Sequence, residues 1–195
     1  EPNRVVSSLC FEAIQHAAQS RRGRKTAAKI IEEVERINQT VQSVELTAWT
    51  NFAKGAVLYF GGNAHDSVDF VHTAEKQFRE ETTGNAWLVG ICRLMLVFDY
   101  ALLGLWKTAR NEMNAYISDA IRRGDRFLEL SLKRGLTIIW LSDDKPNIVR
   151  HELNEVSWAP KEHGFHLPHW YELWTRGELA LYEGDVTSVI DELQN

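Results

Sequence analysis

The sequence predicts an all-α protein, an α-α superhelix of about five antiparallel helix hairpins with a period of about 40 residues. Apolar residues recur at helical spacing along the chain, and no segment shows sustained strand alternation. A turn residue also follows each long apolar run at a nearly constant interval, which is typical of a repeat array. These turn residues, with spacings of 39, 42, 40 and 40, are Gly23, Gly62, Gly104, Asp144 and Gly184.

Each predicted unit consists of a helix, a tight turn and a second helix. Glycine at the turn permits a positive φ and ends the first helix, and Asp144 is one of the few other residue types that tolerate that conformation. Five positions after each turn stands a small or β-branched residue, which lets the two helices approach closely. These residues are Ala28, Ser67, Ala109, Val149 and Val189. The alternative is an irregular helical bundle in which the spacing is accidental.

Taken in order, the pattern predicts a pair of helices around each turn. Pro168 stands near the start of the ninth helix, a favoured position for proline. The ten predicted helices lie near residues 4–21, 25–38, 45–60, 65–80, 85–103, 106–122, 125–141, 147–160, 168–183 and 186–194.

Composition favours one soluble domain over residues 1–195. The chain is 44% hydrophobic, which is enough for a core, and its net charge of -5 argues against nucleic-acid binding. The longest apolar stretch, Leu94 to Leu105, is broken by Asp99 and is too short to insert into a membrane. Two cysteines without a CxxC motif favour the cytoplasm. Because the chain begins at Glu1 and shows no signal peptide, we expect a piece excised from a longer protein.

No motif for catalysis, a cofactor or a metal is visible. The chain lacks the phosphate loop, strand lysine and metal-binding motifs of a kinase, and no serine or cysteine stands in a nucleophile-elbow pattern. His163, His166 and His169 are three residues apart, but Gly164 and Pro168 between them predict a loop without zinc. An enzyme with a metal at this loop is therefore the least favoured function.

The unit resembles a tetratricopeptide repeat. The second unit matches that pattern at four positions, which are Gly55, Gly62, Ser67 and Ala74. Gly177 and Gly184 match it in the fifth unit, whereas Val97 and Thr137 replace the small first-helix residue in the third and fourth. The period of about 40 exceeds the usual 34 residues.

The whole chain resembles the repeat region that follows the kinase domain in large bacterial serine/threonine protein kinases. The segments that carry this resemblance are "IIWLSDDKPNIVRHELNE", "HGFHLPHWYELW" and "ELALYEGD". The resemblance implies a parent protein with kinase activity and a regulatory or docking role for this piece.

Aromatic residues on the first helices predict a partner-binding groove. Trp and Tyr anchor many binding surfaces, and the chain has seven Trp residues, although Trp at helical spacing is also typical of a core. Registering the second and fifth repeats on Gly55 and Gly177 predicts an inner face, to which the third and fourth repeats also contribute. The candidate partner-binding residues on this face are Trp49, Tyr59, Phe98, Arg134, Tyr171, Trp174, Glu178 and Tyr182. We therefore expect a non-catalytic interaction module for a protein, a peptide or a neighbouring domain. The alternative is a small-molecule sensor domain that regulates the attached kinase.

Overall fold

The computed structural model describes residues 2–155, 164, 166–185, 187 and 190, and over these residues the chain is α-helical without a β-strand. The helices are α1 (Pro2–Gln19), α2 (Arg21–Val41), α3 (Val44–Gly61), α4 (Ala64–Glu80), α5 (Ala86–Leu102), α6 (Trp106–Arg123), α7 (Arg126–Gly135), α8 (Thr137–Leu141), α9 (Pro146–Glu155) and α10 (Leu167–Glu183). The predicted all-α class is confirmed. The predicted helix at 186–194 falls almost wholly outside the described residues, as does Val189.

Bends between the helices recur at a regular interval. Positive φ angles occur at Gln42, Gly62, Gly84, Gly104, Gly124, Asp144 and Gly184. From Gln42 to Asp144 these positions lie 20 to 22 residues apart, so the chain turns back after almost every helix. Four of the five predicted turn residues are in this series.

Five of these bends share one hydrogen-bond pattern. At Gly62, the glycine N–H donates to the Tyr59 carbonyl and the Asn63 N–H donates to the Leu58 carbonyl, both at 2.9 Å. The same two bonds recur at Gly104, Gly124, Asp144 and Gly184. This pattern satisfies carbonyls that the helix end would leave without partners, and it requires the left-handed conformation at the bend.

The prediction of a turn at Gly23 is wrong. Gly23 is the third residue of α2, and its N–H donates to the Ser20 side chain, which caps that helix, over 3.0 Å. A Cβ at this position would lie 2.1 Å from the His16 carbonyl oxygen. The glycine is therefore needed for close contact with the end of α1. Because the true bend comes earlier, Ala27 is buried and the predicted Ala28 is exposed.

The predicted helix at 125–141 is interrupted. It divides into α7 and α8 at Leu136, whose φ of -127 and ψ of 36 are not helical. The Arg134 carbonyl at the break accepts hydrogen bonds from the hydroxyls of Thr137 and Thr175. Side chains thus replace the backbone donor that a continuous helix would have supplied.

The chain forms two compact units, Glu1–Leu105 and Trp106–Asn195. In unit 1, α3 packs against α1, α2, α4 and α5. The α3–α4 contact is tight, because a Cβ at Gly55 would lie 2.4 Å from Val71 Cγ2. Ser67 and Ala74 of α4 are fully buried, and Glu75 pairs with Arg93 of α5 at 2.9 Å.

In unit 2, α10 packs against α7, α8 and α9, and α7 also contacts α6. Ala109 and Val149, predicted at helix contacts, are both buried. Leu128, Leu132 and Ile139 contribute fully buried or nearly fully buried side chains. None of the described helices combines the length and apolar character needed to cross a bilayer.

Candidate functional site

Helix α10 has one buried edge and one open face. Pro168, Thr175 and Leu179 lie on the buried edge. Six large apolar or aromatic side chains of the same helix are more than a third exposed, and we call this set the α10 face: Leu167, Trp170, Leu173, Trp174, Leu181 and Tyr182. An amphipathic helix normally turns its polar side to solvent, so this face is unusual.

Polar contacts fix the orientation of α10. Arg134 of α7, only 3% exposed, pairs with Glu172 at 2.6 Å, and Glu172 also accepts a 2.8 Å bond from Arg176. The Thr137 and Thr175 hydroxyls lie 2.8 Å apart. These contacts lie on the buried side of α10, so they hold the helix while leaving the α10 face open.

Two acidic groups border the α10 face. Glu178 is half-buried, and desolvation raises the pKa of its carboxyl, although the neighbouring Trp174 and Thr137 side chains act in the opposite direction. The second acidic group is Asp144, whose carboxylate accepts a hydrogen bond from the Tyr182 hydroxyl at 2.6 Å. This hydrogen bond raises the pKa of Tyr182. The edge of the face that is nearest α8 therefore carries negative charge.

Four of the eight predicted binding residues belong to α10. Trp174 and Tyr182 are members of the α10 face, at 49% and 46% exposure, and Glu178 borders it. Tyr171 is half-buried, and its ring lies against Gly135, where a Cβ would be 3.0 Å from the ring.

Two predicted binding residues are buried. Trp49 is 8% exposed in the core of unit 1, where its ring makes edge contacts with Phe52 and Phe78 at 6.0 and 5.8 Å. Arg134 is buried in its pair with Glu172. Both were placed on an inner face, but neighbouring helices cover that part of α3 and α7. Tyr59 and Phe98 are half-buried in unit 1.

Unit 1 carries an exposed aromatic pair that the sequence prediction missed. Phe11 and Trp87 are 45% and 53% exposed, with ring centroids 6.4 Å apart, and Phe11 also packs on Trp49 at 5.3 Å. A signal was present, since Val6, Cys10, Ala13 and Ala17 define the buried face of α1 and Phe11 lies off it.

A buried acid lies among α3, α4 and α5. Asp99 is fully buried, and its Oδ2 lies 2.7 Å from Ser67 Oγ, which is 3.0 Å from the Gly55 carbonyl oxygen. The serine hydroxyl has one proton, so both contacts are hydrogen bonds only if Asp99 is protonated and donates to Ser67. Burial correspondingly raises the pKa of Asp99 to about 6. This arrangement stabilises helix packing and offers no opening to a substrate.

Within the described residues no cluster suits a metal, and the clefts beside α10 are open to solvent. No group of three His, Cys, Asp or Glu within the described ranges could hold a metal. His163 lies outside those ranges, and His169 Nδ1 accepts the His166 backbone N–H at 2.9 Å. A cleft of about 240 Å³ between α9 and α10 is open to solvent and bordered by the Arg150–Glu183 ion pair.

Comparison of the chain with models of known families, with curated proteins and with solved structures finds no match.

Proposed function

We propose that the chain is a non-catalytic protein-interaction module, a tetratricopeptide-like superhelix that binds a peptide segment of another protein or of a neighbouring domain. The observation that carries the proposal is the α10 face. A contiguous apolar surface of this kind on a folded protein typically marks an interaction site. The regular spacing of the bends supports the repeat architecture. In such an array of helix pairs, the first helices line one surface.

The α10 face has the composition of a binding hot spot. Trp170 and Trp174 are 48% and 49% exposed, and their rings meet edge to face at 6.0 Å. Trp and Tyr bury a large area for few rotatable bonds, so binding through them costs little entropy. The polar contacts on the far side of α10 hold the helix that carries these rings in place before a partner binds.

The regulatory setting remains a prediction from the resemblance to bacterial serine/threonine kinases. The α10 face would then dock a segment of the parent chain or its substrate. The small-molecule alternative calls for an enclosed apolar cavity, whereas the cleft between α9 and α10 and a second cleft beside Leu173 are both open and bordered by charged side chains. The open aromatic face favours a protein partner over a small molecule.

Selection from a phage-displayed peptide library tests the proposal. Peptides enriched on the wild-type chain should lose binding to Trp174→Ala and keep binding to Ile121→Ala, a control on α6 that removes a side chain of 55% exposure. Enrichment of no peptide, or of peptides that bind all three chains equally, would contradict an interaction site on α10.

A further inference from the structure

Four side chains form a line along α10. Trp170, Trp174, Glu178 and Tyr182 are spaced four residues apart, so each lies above the next on adjacent turns of the helix. We call this line the aromatic–acidic stripe. Its three aromatic members are 46% to 49% exposed, and the glutamate between two of them is half-buried.

The rings of the stripe suit a positively charged ligand. The face of an aromatic ring carries a negative quadrupole, and Trp attracts cations most strongly among the aromatic residues. This chain already uses the interaction once, because Lys54 Nζ lies 5.2 Å from the centre of the Phe70 ring. At the stripe, the exposed Trp rings are accessible to a cation from outside.

Glu178 differs from the other glutamates of unit 2 that are withdrawn from solvent. Glu129, Glu152 and Glu172 each pair with a lysine or an arginine. The Trp174 and Thr137 side chains lower the pKa of Glu178, but Glu178 forms no ion pair within the described part of the chain. A half-buried carboxylate without a cation is destabilised by desolvation, and an incoming cation relieves that cost.

A second acid extends the negative charge. Asp144, at the bend between α8 and α9, accepts the Tyr182 hydroxyl at 2.6 Å. The stripe thus ends beside a carboxylate as well as containing one. Two cations that follow Asp144 in the sequence pair with other acids, Lys145 with Asp143 and Arg150 of α9 with Glu183.

We infer that the aromatic–acidic stripe binds an arginine or lysine side chain of a partner peptide, with apolar residues of that peptide on the rest of the α10 face. The inference rests on the proposed interaction function and names the chemistry of its partner. The cation lies against the Trp174 ring and beside the Glu178 carboxylate. Leu173 and Leu181 contact the apolar neighbours of the basic residue.

Two synthetic peptides test this inference. One is acetyl-Leu-Ala-Arg-Leu-Leu-amide, and in the other citrulline replaces arginine, which keeps the shape and removes the charge. Chemical shifts of the Trp indole N–H groups report binding to the full chain. We expect the arginine peptide to bind about tenfold more tightly than the citrulline peptide, the size expected of a partly desolvated cation–π and charge contact.

Variants assign the difference to the stripe. Glu178→Gln should abolish the preference for arginine, whereas Glu112→Gln, which removes the same charge from α6, should retain it. Equal binding of the two peptides to the wild type, an arginine preference that survives Glu178→Gln, or no binding of either peptide at millimolar concentration would overturn the inference. Library peptides that lack basic residues and still depend on Trp174 would overturn it too, while leaving the proposed function intact.

Discussion

Asp99 shows how one buried side chain links the fold to pH. Its carboxyl is fully covered, its Oδ1 has no hydrogen-bond partner among the described residues, and its pKa rises from 3.8 to about 6. Between these values the folded chain keeps a proton that the unfolded chain has released. The stability that this group contributes is therefore full below pH 3.8 and is lost as the pH rises through 6.

Asp99→Asn should stabilise the protein at neutral pH. The amide is close to the shape of the protonated acid and can donate to Ser67, but it carries no charge to desolvate. We expect urea titrations at pH 8 to show a gain approaching about 3 kcal/mol, and titrations at pH 4 to show almost none. An equal loss of stability at both pH values would mean that Asp99 is ionised in the folded chain even at pH 4, so that its pKa is not raised.

Truncation of Trp49 should destabilise the protein much more than truncation of Trp174. Trp49→Ala opens a cavity in the core of unit 1 and should cost about 3–5 kcal/mol in denaturant unfolding. Trp174 is half exposed, so Trp174→Ala should cost less than about 1 kcal/mol. A large loss for Trp174→Ala would place its ring in the core and remove the main member of the α10 face.

Sequence periodicity gave these two tryptophans the same assignment, and only the structure separates them. Both stand on a predicted first helix, Trp49 before Gly55 and Trp174 before Gly177. Their difference arises from what covers each helix: α1 and α4 pack on α3, whereas the described residues leave one side of α10 open. Burial of this kind depends on helices distant in sequence, so a pattern within one helix could not reveal it.

At the scale of the helix, the predicted bends are correct where the turn residue adopts a positive φ angle. Gly62, Gly104 and Gly184 have positive φ angles, and Asp144 does too. As a result, α3, α4, α5, α6 and α10 begin and end within one residue of the predicted bounds. Gly23 misled the prediction because a glycine can also serve close helix contact, and sequence alone does not separate the two uses.

The break between α7 and α8 was not predictable from local sequence. The Thr175 hydroxyl that satisfies the Arg134 carbonyl comes from α10, about 40 residues away along the chain. The ring of Tyr171 occupies the space beside Gly135. Both contacts exist only after α10 has packed against α7.

Gly55 and Gly177 are a matched pair for testing helix contact. Each stands seven residues before a bend glycine, but Val71 lies against Gly55, whereas no described atom lies within 4 Å of a Cβ at Gly177. Gly55→Ala should therefore destabilise the chain by about 1–3 kcal/mol through overpacking. Gly177→Ala should stabilise it by about 0.5–1 kcal/mol, because alanine favours an open helix. Thermal and urea unfolding of both variants measure the contrast, and a clear loss for Gly177→Ala would show that another helix covers α10.

At the scale of the molecule, turn residues recur at a nearly constant interval in the sequence, and apolar residues recur at helical spacing between them. These two patterns made the all-α class predictable. The candidate site was predictable only in part. Sequence reasoning assigned Trp174, Glu178 and Tyr182 to one face of a helix, and the structure places them on or beside the exposed α10 face. It missed Trp170 as a binding residue, because the register set on Gly177 assigned the adjacent Tyr171 to the inner face on that turn.

Calorimetric titration of a library-selected peptide into the wild type and Trp174→Ala, with thermal unfolding of both chains, tests the central claim most directly. We predict that Trp174→Ala keeps the unfolding temperature of the wild type within a few degrees. We also predict a loss of binding of about 2 kcal/mol or more, as at a hot spot. A large drop in unfolding temperature together with unchanged peptide affinity in the folded variant would contradict the account.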